Sequence, residues 1–350
     1  MSVFSRIATA SALLSASIAL AGCNSGSGSV IQGAQSSTIA GSFQSGTADG
    51  PASTARFRNP ANVAVDSANN VYVADYDNNL VRKIDPVGNV STVFSNPNFV
   101  NPFGIATNSS GTVFVETDQN DTGTRNSTSG TVWRIDSRTQ TGVVVARNLG
   151  RPRGIALLAD GRLALSDVNR HTISLLNTTT GAVTLLAGLT DTPGFVNGKG
   201  AAAQFHRPYG VKQDNNGDLI VADANNNAIR RVTLAGVVTT IAGSGAAGFQ
   251  DGSTLAALFL APQSVAIDGL GNIYVGDNGN YRIRRIDTKG SVFTLAGDGN
   301  PGYHEGGGSS IQFFGMEGMD IAPDGRSLVI ADGNQGTDAP FNRIRRVVLP

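Results

Sequence analysis

Short runs of alternating apolar and polar residues recur along this chain, and Asn- and Gly-rich turns separate them. One run opens a unit, as in Asn62-Val-Ala-Val-Asp66, and the next follows at once, as in Val71-Tyr-Val-Ala-Asp75. A third run contains paired basic residues, as in Leu80-Val-Arg-Lys-Ile84, and a fourth closes the unit, as in Thr239-Thr-Ile-Ala-Gly243. β-branched and aromatic residues bounded by turn formers predict strands. The pattern therefore predicts four short antiparallel strands per unit, with no helix between them.

The unit recurs about every fifty residues, which is the period of a structural repeat. Its copies can be counted from the residue that ends the second strand, namely Asp75, Thr117, Asp167, Asp223, Asp277 and Asp332. A single unit cannot bury its own apolar face, so neighbouring copies must pack on one another. Six four-stranded units predict an all-β, six-bladed β-propeller over residues 37–350.

The two ends of this region complement each other. The last unit stops after its third strand, whereas Ser37-Thr-Ile-Ala-Gly41 copies the closing phrase before the first unit begins. We therefore predict that this N-terminal strand pairs with the strand around Ile344–Val348 and removes an open sheet edge. The second blade departs most from the pattern, with a polar insertion over Asp118–Gly130.

These phrases resemble NHL repeats, whose consensus is close to Pro-x-Gly-Val-Ala-Val-Asp, Gly-Asn-Ile-Tyr-Val-Ala-Asp, Asn-Arg-Ile-Arg-Lys-Ile and Val-Ser-Thr-Leu-Ala-Gly. The resemblance is strong in blades one, four and five and weaker in blades two and three. It implies the propeller fold. NHL propellers serve as protein- or RNA-binding platforms, as extracellular sensor domains and, more rarely, as metal-dependent lyases, so the resemblance does not by itself identify an activity.

The N-terminus resembles a bacterial lipoprotein signal. An apolar stretch follows Arg6 and ends at Leu20-Ala-Gly-Cys23, which is similar to a lipobox, and Cys23 is the single cysteine of the chain. We expect residues 1–22 to be a signal peptide, Cys23 to be lipidated, and residues 23–36 to be a flexible tether. The expected location is the cell envelope, and the outer membrane if the bacterium has two membranes.

Charge argues against nucleic acid as a partner. The chain has 26 basic and 26 acidic residues, and only 15% of its residues are charged. Binding to nucleic acid depends on neutralising phosphates, which a neutral chain does poorly. The recurring arginine pairs are better explained as repeat positions that stack and pair between blades.

Binding residues are expected on the loop face, which carries the connections between blades and the loops between second and third strands. The residue that follows the start of each first strand rings the central channel there and differs from blade to blade. Ala61 and Phe103 hold this position in the first two blades. The candidate ligand-binding residues hold it in the others, namely Arg153, Tyr209, Gln263 and Glu317. As rim side chains, they are expected to add little to stability; an unliganded, solvated rim is the alternative interpretation.

Metal chemistry has weak support in the sequence. The Asp that ends each second strand favours a structural Asx-turn, and Asp118-Gln-Asn-Asp121 lacks the spacing of a calcium loop. The histidines His171, His206 and His304 come from different units. The resemblance to peptide-amidating lyases would require histidines at Arg153, Tyr209 and Gln263, and no streptogramin lyase motif is visible. The sequence identifies neither a cofactor nor a bound metal, and both stay unknown at this point.

The sequence leaves two hypotheses. The favoured one is a non-catalytic binding or scaffold propeller, tethered by lipid to the envelope, that presents its loop face to a protein, a peptide or a glycan. The alternative is an envelope lyase or hydrolase with a metal in the channel mouth, held by oxygen ligands such as Glu317 beside a histidine. Groups that converge on one point would favour the enzyme.

Overall fold

The computed structural model describes residues 33–337 and 340–350. The predicted signal peptide, the lipidation residue Cys23 and most of the predicted tether lie outside the described residues. The chain forms six antiparallel sheets of four or five strands each. These sheets are the blades of a propeller, which confirms the predicted fold.

The strands are numbered in chain order. The first strand, β1 (Gln35–Ser42), belongs to the last blade. Blade 1 contains β2 (Gly50–Pro51), β3 (Pro60–Val65), β4 (Val71–Asp75), β5 (Leu80–Ile84) and β6 (Asn89–Phe94). Blade 2 contains β7 (Pro102–Thr107), β8 (Thr112–Thr117), β9 (Thr131–Asp136) and β10 (Thr141–Ala146). Blade 3 contains β11 (Pro152–Leu157), β12 (Leu163–Asp167), β13 (Thr172–Leu176) and β14 (Val183–Ala187).

The second half of the ring follows the same order. Blade 4 contains β15 (Gly198–Lys199), β16 (Pro208–Gln213), β17 (Leu219–Asp223), β18 (Ala228–Val232) and β19 (Val237–Ala242). Blade 5 contains β20 (Gly252–Ser253), β21 (Pro262–Ile267), β22 (Ile273–Asp277), β23 (Arg282–Ile286) and β24 (Ser291–Ala296). Blade 6 contains β25 (Gly306–Gly307), β26 (Met316–Ile321), β27 (Ser327–Asp332), β28 (Asn342–Val348) and β1. Short 3-10 helices occupy Tyr76–Asn78, Gly200–Ala202, Ala224–Asn226, Asn278–Asn280 and Gly308–Ser310. Among the described residues no helix is both long and apolar enough to cross a membrane.

The N-terminal strand closes the ring as predicted. In β1, Ser37 pairs with Arg346 and Gly41 pairs with Arg343, so β1 supplies the strand that blade 6 lacks. The strand begins at Gln35, two residues before the predicted start of the propeller at residue 37. Ala34 is also fully buried, because it packs in the core of blades 5 and 6.

A fifth, two-residue strand covers the outer strand of four blades, and the sequence pattern did not reveal it. These strands are β2, β15, β20 and β25, and each lies in the connection that leads into or closes its blade. Within the described residues, blades 2 and 3 have four strands each. Their outer strands therefore keep an uncovered edge, along which Val143, Val183 and Leu185 are exposed.

The apolar core lies between blades. Six buried clusters each join residues of two neighbouring blades; Tyr72 and Phe94 of blade 1, for example, pack with Trp133 of blade 2. Burying a large apolar side chain contributes roughly 1.5–3 kcal/mol relative to leaving it exposed. A blade taken out of the ring would lose this contribution on both faces, which is why the repeats need one another.

A buried ion pair recurs inside four blades. In blade 1, the Asp75 carboxylate lies 3.0 Å from the Arg82 guanidinium, and both side chains are fully buried. The equivalent pairs are Asp223–Arg230 at 2.7 Å, Asp277–Arg284 at 2.8 Å and Asp332–Arg345 at 2.9 Å. Two predictions are therefore wrong in these blades. The aspartates hold an arginine, not an Asx-turn, and the arginines pair within a blade, not between blades.

Candidate functional site

The predicted ligand-binding residues surround one end of the central channel, but they are not an exposed rim. Arg153 is 7% exposed and Tyr209 is 9% exposed, whereas Gln263 and Glu317 are partly buried. They come from the first strands of blades 3 to 6, as expected from the repeat. Because two of the four are buried and all four contact other side chains, they bury more area than exposed rim side chains would, and their small effect on stability stays a prediction. We call this surface the channel mouth.

A second ring of residues also forms the channel mouth, and the sequence analysis missed it. Its members directly follow the second strand of each blade and include Tyr76, Asp118, Val168, Ala224 and Asn278. They contact the first ring: Val168 and Ala224 join a buried cluster with Phe103 and Tyr209. Their sequence signal was available, because each follows the strand-ending residue and differs from blade to blade.

Asp118 organises the side of the mouth formed by blades 1 to 3. Its carboxylate accepts hydrogen bonds from Arg151 at 2.7 and 3.0 Å and from the Tyr76 hydroxyl at 2.8 Å. The Arg153 guanidinium lies 3.2 Å from the same carboxylate. Although burial opposes it, the Arg151 hydrogen bond and the Arg153 charge lower the pKa of Asp118. Asp118 is therefore an ionised carboxylate at neutral pH.

Aromatic rings cover the same guanidinium. The Arg153 guanidinium carbon lies 4.1 Å from the centre of the Phe103 ring and 5.5 Å from that of Tyr76. Phe103 in turn meets Tyr209 edge to face, with ring centres 5.7 Å apart. Cation–π contact and burial hold Arg153 in place. Arg153 donates one hydrogen bond to Asp118 through Nη2. Its buried Nη1 lies 3.2 Å from Asp118 Oδ1 but has no hydrogen-bond partner among the described residues.

The side formed by blades 4 to 6 is different in character, because its carboxylate lacks a cation of its own. Glu317 accepts a long hydrogen bond, 3.4 Å, from the Tyr209 hydroxyl. Burial raises the pKa of Glu317 to about 7, although the Arg153 charge opposes this. Beside it, the Gln263 side-chain oxygen accepts a hydrogen bond of 2.6 Å from Asn278. The Glu317 carboxyl group can therefore accept hydrogen bonds from a ligand at little cost to the protein.

A third carboxyl group lies beneath the mouth. Glu116, on β8, is fully buried, and neither of its carboxyl oxygens has a hydrogen-bond partner within the described chain. Burial and the charge of Asp118 raise its pKa well above the ordinary value. Of the two neighbouring carboxyl groups, Glu116 therefore binds a proton more readily, whereas Asp118 keeps its charge beside Arg151 and Arg153.

The channel itself is closed below these residues. The cavity between the first strands, lined by residues such as Asn62, Gly154 and Glu317, has a volume of about 20 Å³. This is room for about one water molecule. Towards the opposite face, Lys212 of blade 4 lies 2.8 Å from Asp320 of blade 6. A ligand of the mouth must consequently bind at the surface.

His171, His206 and Asp121 of the blade-two insertion make other contacts. The His171 and His206 rings meet edge to face with centres 5.6 Å apart, and His171 Nδ1 accepts a hydrogen bond from the backbone of Arg207. In the insertion, Asp121 forms an ion pair with Arg147. Within residues 33–337 and 340–350, no group of three or more His, Cys, Asp or Glu side chains is placed to hold a metal ion.

Comparison with known proteins agrees with the repeat pattern. The NHL repeat family model matches residues 57–84 and 259–286. The protein SUPPRESSOR OF QUENCHING 1 of Arabidopsis thaliana is 29% identical over 71% of this chain and 27% of its own length. NHL repeat-containing protein 2 of Gallus gallus is 27% identical over 75% of this chain and 43% of its own length. The chain thus spans less than half the length of these curated relatives.

Solved structures share the fold at low sequence identity. An auxiliary nutrient binding protein from Bacteroides thetaiotaomicron has a TM-score of 0.70 at 19% identity, covering 91% of this chain and 76% of its own. Virginiamycin B lyase from Staphylococcus aureus has a TM-score of 0.56 at 13% identity, covering 91% of this chain and 100% of its own. Identities this low establish the fold alone. The repeat phrases, the matched repeats and the six-bladed ring together place this chain among the NHL-repeat β-propeller proteins.

Proposed function

We propose that this protein is an envelope-anchored binding or scaffold module, without catalytic activity, whose ligand docks on the loop face at the channel mouth. One observation carries the proposal. The buried Asp–Arg pair is the same in four of the six blades, whereas every blade places a different side chain at the mouth, such as Phe103 in blade 2 and Glu317 in blade 6. Ring packing accounts for the repeated residues, so the variation at the mouth needs another cause, and ligand recognition supplies one.

The chemistry of the mouth favours a ligand that donates hydrogen bonds. Glu317 has one long internal hydrogen bond, and the partly buried Gln263 lies in the same half of the mouth. Tyr209 adds an aromatic ring to this half. Hydroxyl and amide N–H groups of a glycan, a peptide or a protein segment suit such a surface. The Bacteroides thetaiotaomicron structure of the same fold is described as an auxiliary nutrient binding protein, which supports a binding role.

The envelope location rests on the N-terminal sequence. Lipidation of Cys23, the single cysteine, would anchor the propeller to a membrane through the tether of residues 23–36. A ligand in the envelope would then lie within reach. The metal-dependent lyase or hydrolase that we considered as an alternative needs a ligating group that the described residues do not form. We therefore derive no reaction from the channel mouth.

The test is a binding screen followed by variants of the mouth. The purified propeller, residues 33–350, is screened on glycan and peptide arrays, and affinities for the hits are measured by calorimetry. Glu317→Gln and Tyr209→Phe should weaken binding at least about fivefold, because the first replaces an acceptor oxygen with an N–H donor and the second removes a hydroxyl group, and a hydrogen bond contributes about 1 kcal/mol. Lys289→Gln, a change of one exposed charge on the opposite face, is the control. Hits that respond equally to all three variants, or a screen without hits, would contradict the proposal.

A further inference from the structure

Blade 3 lacks the arginine that its sister blades bury. In blade 1 Arg82 pairs across the sheet with Val73, and the equivalent residue of blade 3 is Ser174, which pairs with Leu165. Blade 3 nevertheless keeps the aspartate, Asp167, at the end of its second strand. Blade 3 thus has the aspartate of the Asp–Arg pair but has a serine in place of the arginine.

Blade 2 shows how both partners can be replaced together. Thr117 and Trp133 stand where the other blades have Asp and Arg, and the Trp133 indole N–H donates to the Thr117 hydroxyl at 3.0 Å. Phe99 packs under Trp133, with ring centres 5.6 Å apart. The neutral Thr117–Trp133 pair occupies the space that the Asp–Arg pair fills in other blades, and its indole N–H is hydrogen-bonded. Blade 3 has no such replacement.

A cavity of about 240 Å³ remains where the arginine would lie. Its lining includes Leu149, Leu165, Asp167 and Ser174, which hold the repeat positions that surround and contain the arginine in blade 1. No fifth strand covers blade 3, and Val183 of its outer strand, which also lines the cavity, is 46% exposed. The cavity is therefore accessible from the outer edge of the blade.

The aspartate in this cavity has an unused oxygen. Asp167 is 5% exposed, its Oδ1 accepts hydrogen bonds from backbone N–H groups of Arg151, Asn169 and Arg170, and its Oδ2 has no hydrogen-bond partner. In blade 5 the equivalent oxygen of Asp277 accepts from Arg284 and Asn280, each at 2.8 Å. A buried acceptor without a partner costs about 1–3 kcal/mol, more when it is charged.

Two arginines of this chain, Arg147 and Arg170, line the cavity, but neither donates a hydrogen bond to Asp167 Oδ2. The guanidinium of Arg147 is bound by Asp121, and the Nε of Arg170 lies 3.9 Å from Asp167, too far for a hydrogen bond. Arg170 is 39% exposed, so it can turn towards solvent when another cation arrives. The remaining lining residues are apolar or neutral, such as Leu149, Thr172 and Val183.

We infer that the blade-3 cavity is a binding site for a guanidinium group, presented by an arginine side chain of a partner peptide that lies along the outer strand of blade 3. The partner would supply the arginine that the repeat lacks, with its stem against Leu149 and Leu165 and its guanidinium on Asp167 Oδ2. Its backbone could pair with the free edge of β14, as β15 pairs with β19 in blade 4. This site is separate from the channel mouth and does not depend on the function proposed for it.

The experiment titrates the propeller with N-acetyl-arginine amide and N-acetyl-lysine amide, in low salt at pH 7.5, and follows amide chemical shifts. Saturable binding of the arginine probe with shifts around blade 3 is expected. Asp167→Asn should weaken it at least tenfold. Ser174→Arg should fill the cavity from within, abolish binding and raise the melting temperature, which tests the site even if Asp167→Asn folds poorly.

Three outcomes would overturn the inference. They are an arginine probe that shows no saturable binding, full binding by Ser174→Arg, and equal affinity for the lysine probe, which would remove the assignment to guanidinium. The mouth variant Glu317→Gln should bind the arginine probe like the wild type. This control separates failure here from failure of the proposed function.

Discussion

The buried Asp–Arg pairs provide the sharpest test of how this ring is held together, and Arg284 in blade 5 is the best position to perturb. Its guanidinium is fully buried, contacts Asp277 at 2.8 Å and Asp251 at 2.6 Å, and lies 5.1 Å above the Phe259 ring. It also donates to the carbonyl oxygens of two residues in the connecting loop. Arg284→Met keeps an unbranched side chain of similar reach but removes the charge and the hydrogen bonds.

The expected cost follows from what the substitution leaves behind. Removing one partner of a buried ion pair costs about 3–5 kcal/mol, because the other charge stays buried without compensation. Here the uncompensated group is Asp277, whose side chain is fully buried. At about 2–4 °C per kcal/mol for domains of 150–250 residues, the melting temperature should fall by roughly 10 °C.

The pH dependence tests the cause directly. Burial raises the pKa of Asp277 to about 6, even though the charge of Arg284 lowers it. Removing the Arg284 charge must therefore raise the pKa of Asp277 further. A carboxyl group with a raised pKa in the folded state binds more protons folded than unfolded, and its contribution to stability declines as pH rises through that pKa. The deficit of Arg284→Met should therefore be larger at pH 8 than at pH 5.

The assay is urea unfolding of the propeller at both pH values, with Arg285→Met as the matched control. Arg285 is the adjacent, half-buried member of the same arginine pair, and its loss should change stability by less than about 1 kcal/mol. Adding Asp277→Asn to Arg284→Met should recover part of the loss. The reasoning is refuted if Arg284→Met costs no more than Arg285→Met, or if its deficit is the same at pH 5 and pH 8.

Three further predictions concern the ends of the chain and the mouth. A chain that starts at residue 43 lacks β1 and should melt at least 10 °C below one that starts at residue 33, as seen by circular dichroism; equal melting temperatures would contradict ring closure by β1. Glu317→Gln should be more stable than the wild type by an amount that grows from pH 5 to pH 8, because burial raises the Glu317 pKa to about 7; a difference independent of pH in thermal melts would count against this. Cys23→Ser should leave the membrane fraction or stay unprocessed in immunoblots of fractionated cells, and normal membrane partition would argue against lipidation.

The number of blades and the closure of the ring could be predicted because each strand of the repeat has a recognisable sequence of its own. The closing phrase Ser37–Gly41 is informative for this reason, since it has no strand partner within its own unit. Gly243, which ends the same phrase in blade 4, also shows why the phrase persists. Its φ is +89°, and a Cβ there would lie 2.5 Å from the Asn227 carbonyl oxygen.

The fifth strands could not be predicted, because two-residue strands such as Gly50–Pro51 or Gly198–Lys199 are too short to show an alternation of apolar and polar residues. The Asp–Arg pairs were misinterpreted for a different reason. Asp75 pairs across the sheet with Leu80, and Arg82 reaches it diagonally from two residues further on. An Asp that is followed by Asn residues is typical of an exposed turn. Here the connecting loop buries the aspartate, and a local sequence pattern does not show that burial.

The channel mouth was predicted in position but not in character. The first ring follows from the repeat alignment, yet whether Arg153 is free or bound depends on Asp118, which the insertion of blade 2 brings across the mouth. The sequence by itself indicates only that Asp118 begins a polar loop. Its alignment with Tyr76 and Asn278, one residue after the second strand, would have placed it in the second ring.

The two least regular blades hold most of the unusual chemistry of this ring. Blades 2 and 3 supply Asp118 and Arg153 at the mouth, Glu116 beneath it, and at the outer edge Asp167, whose Oδ2 accepts no hydrogen bond within the described chain. In the four regular blades the arginine, the aspartate and the covering strand occur together. In the described part of blades 2 and 3, which have Trp133 and Ser174 at the arginine position, no covering strand is present either. A divergent blade in a closed ring is therefore held by its neighbours on both faces, and its edge is free to take on a partner.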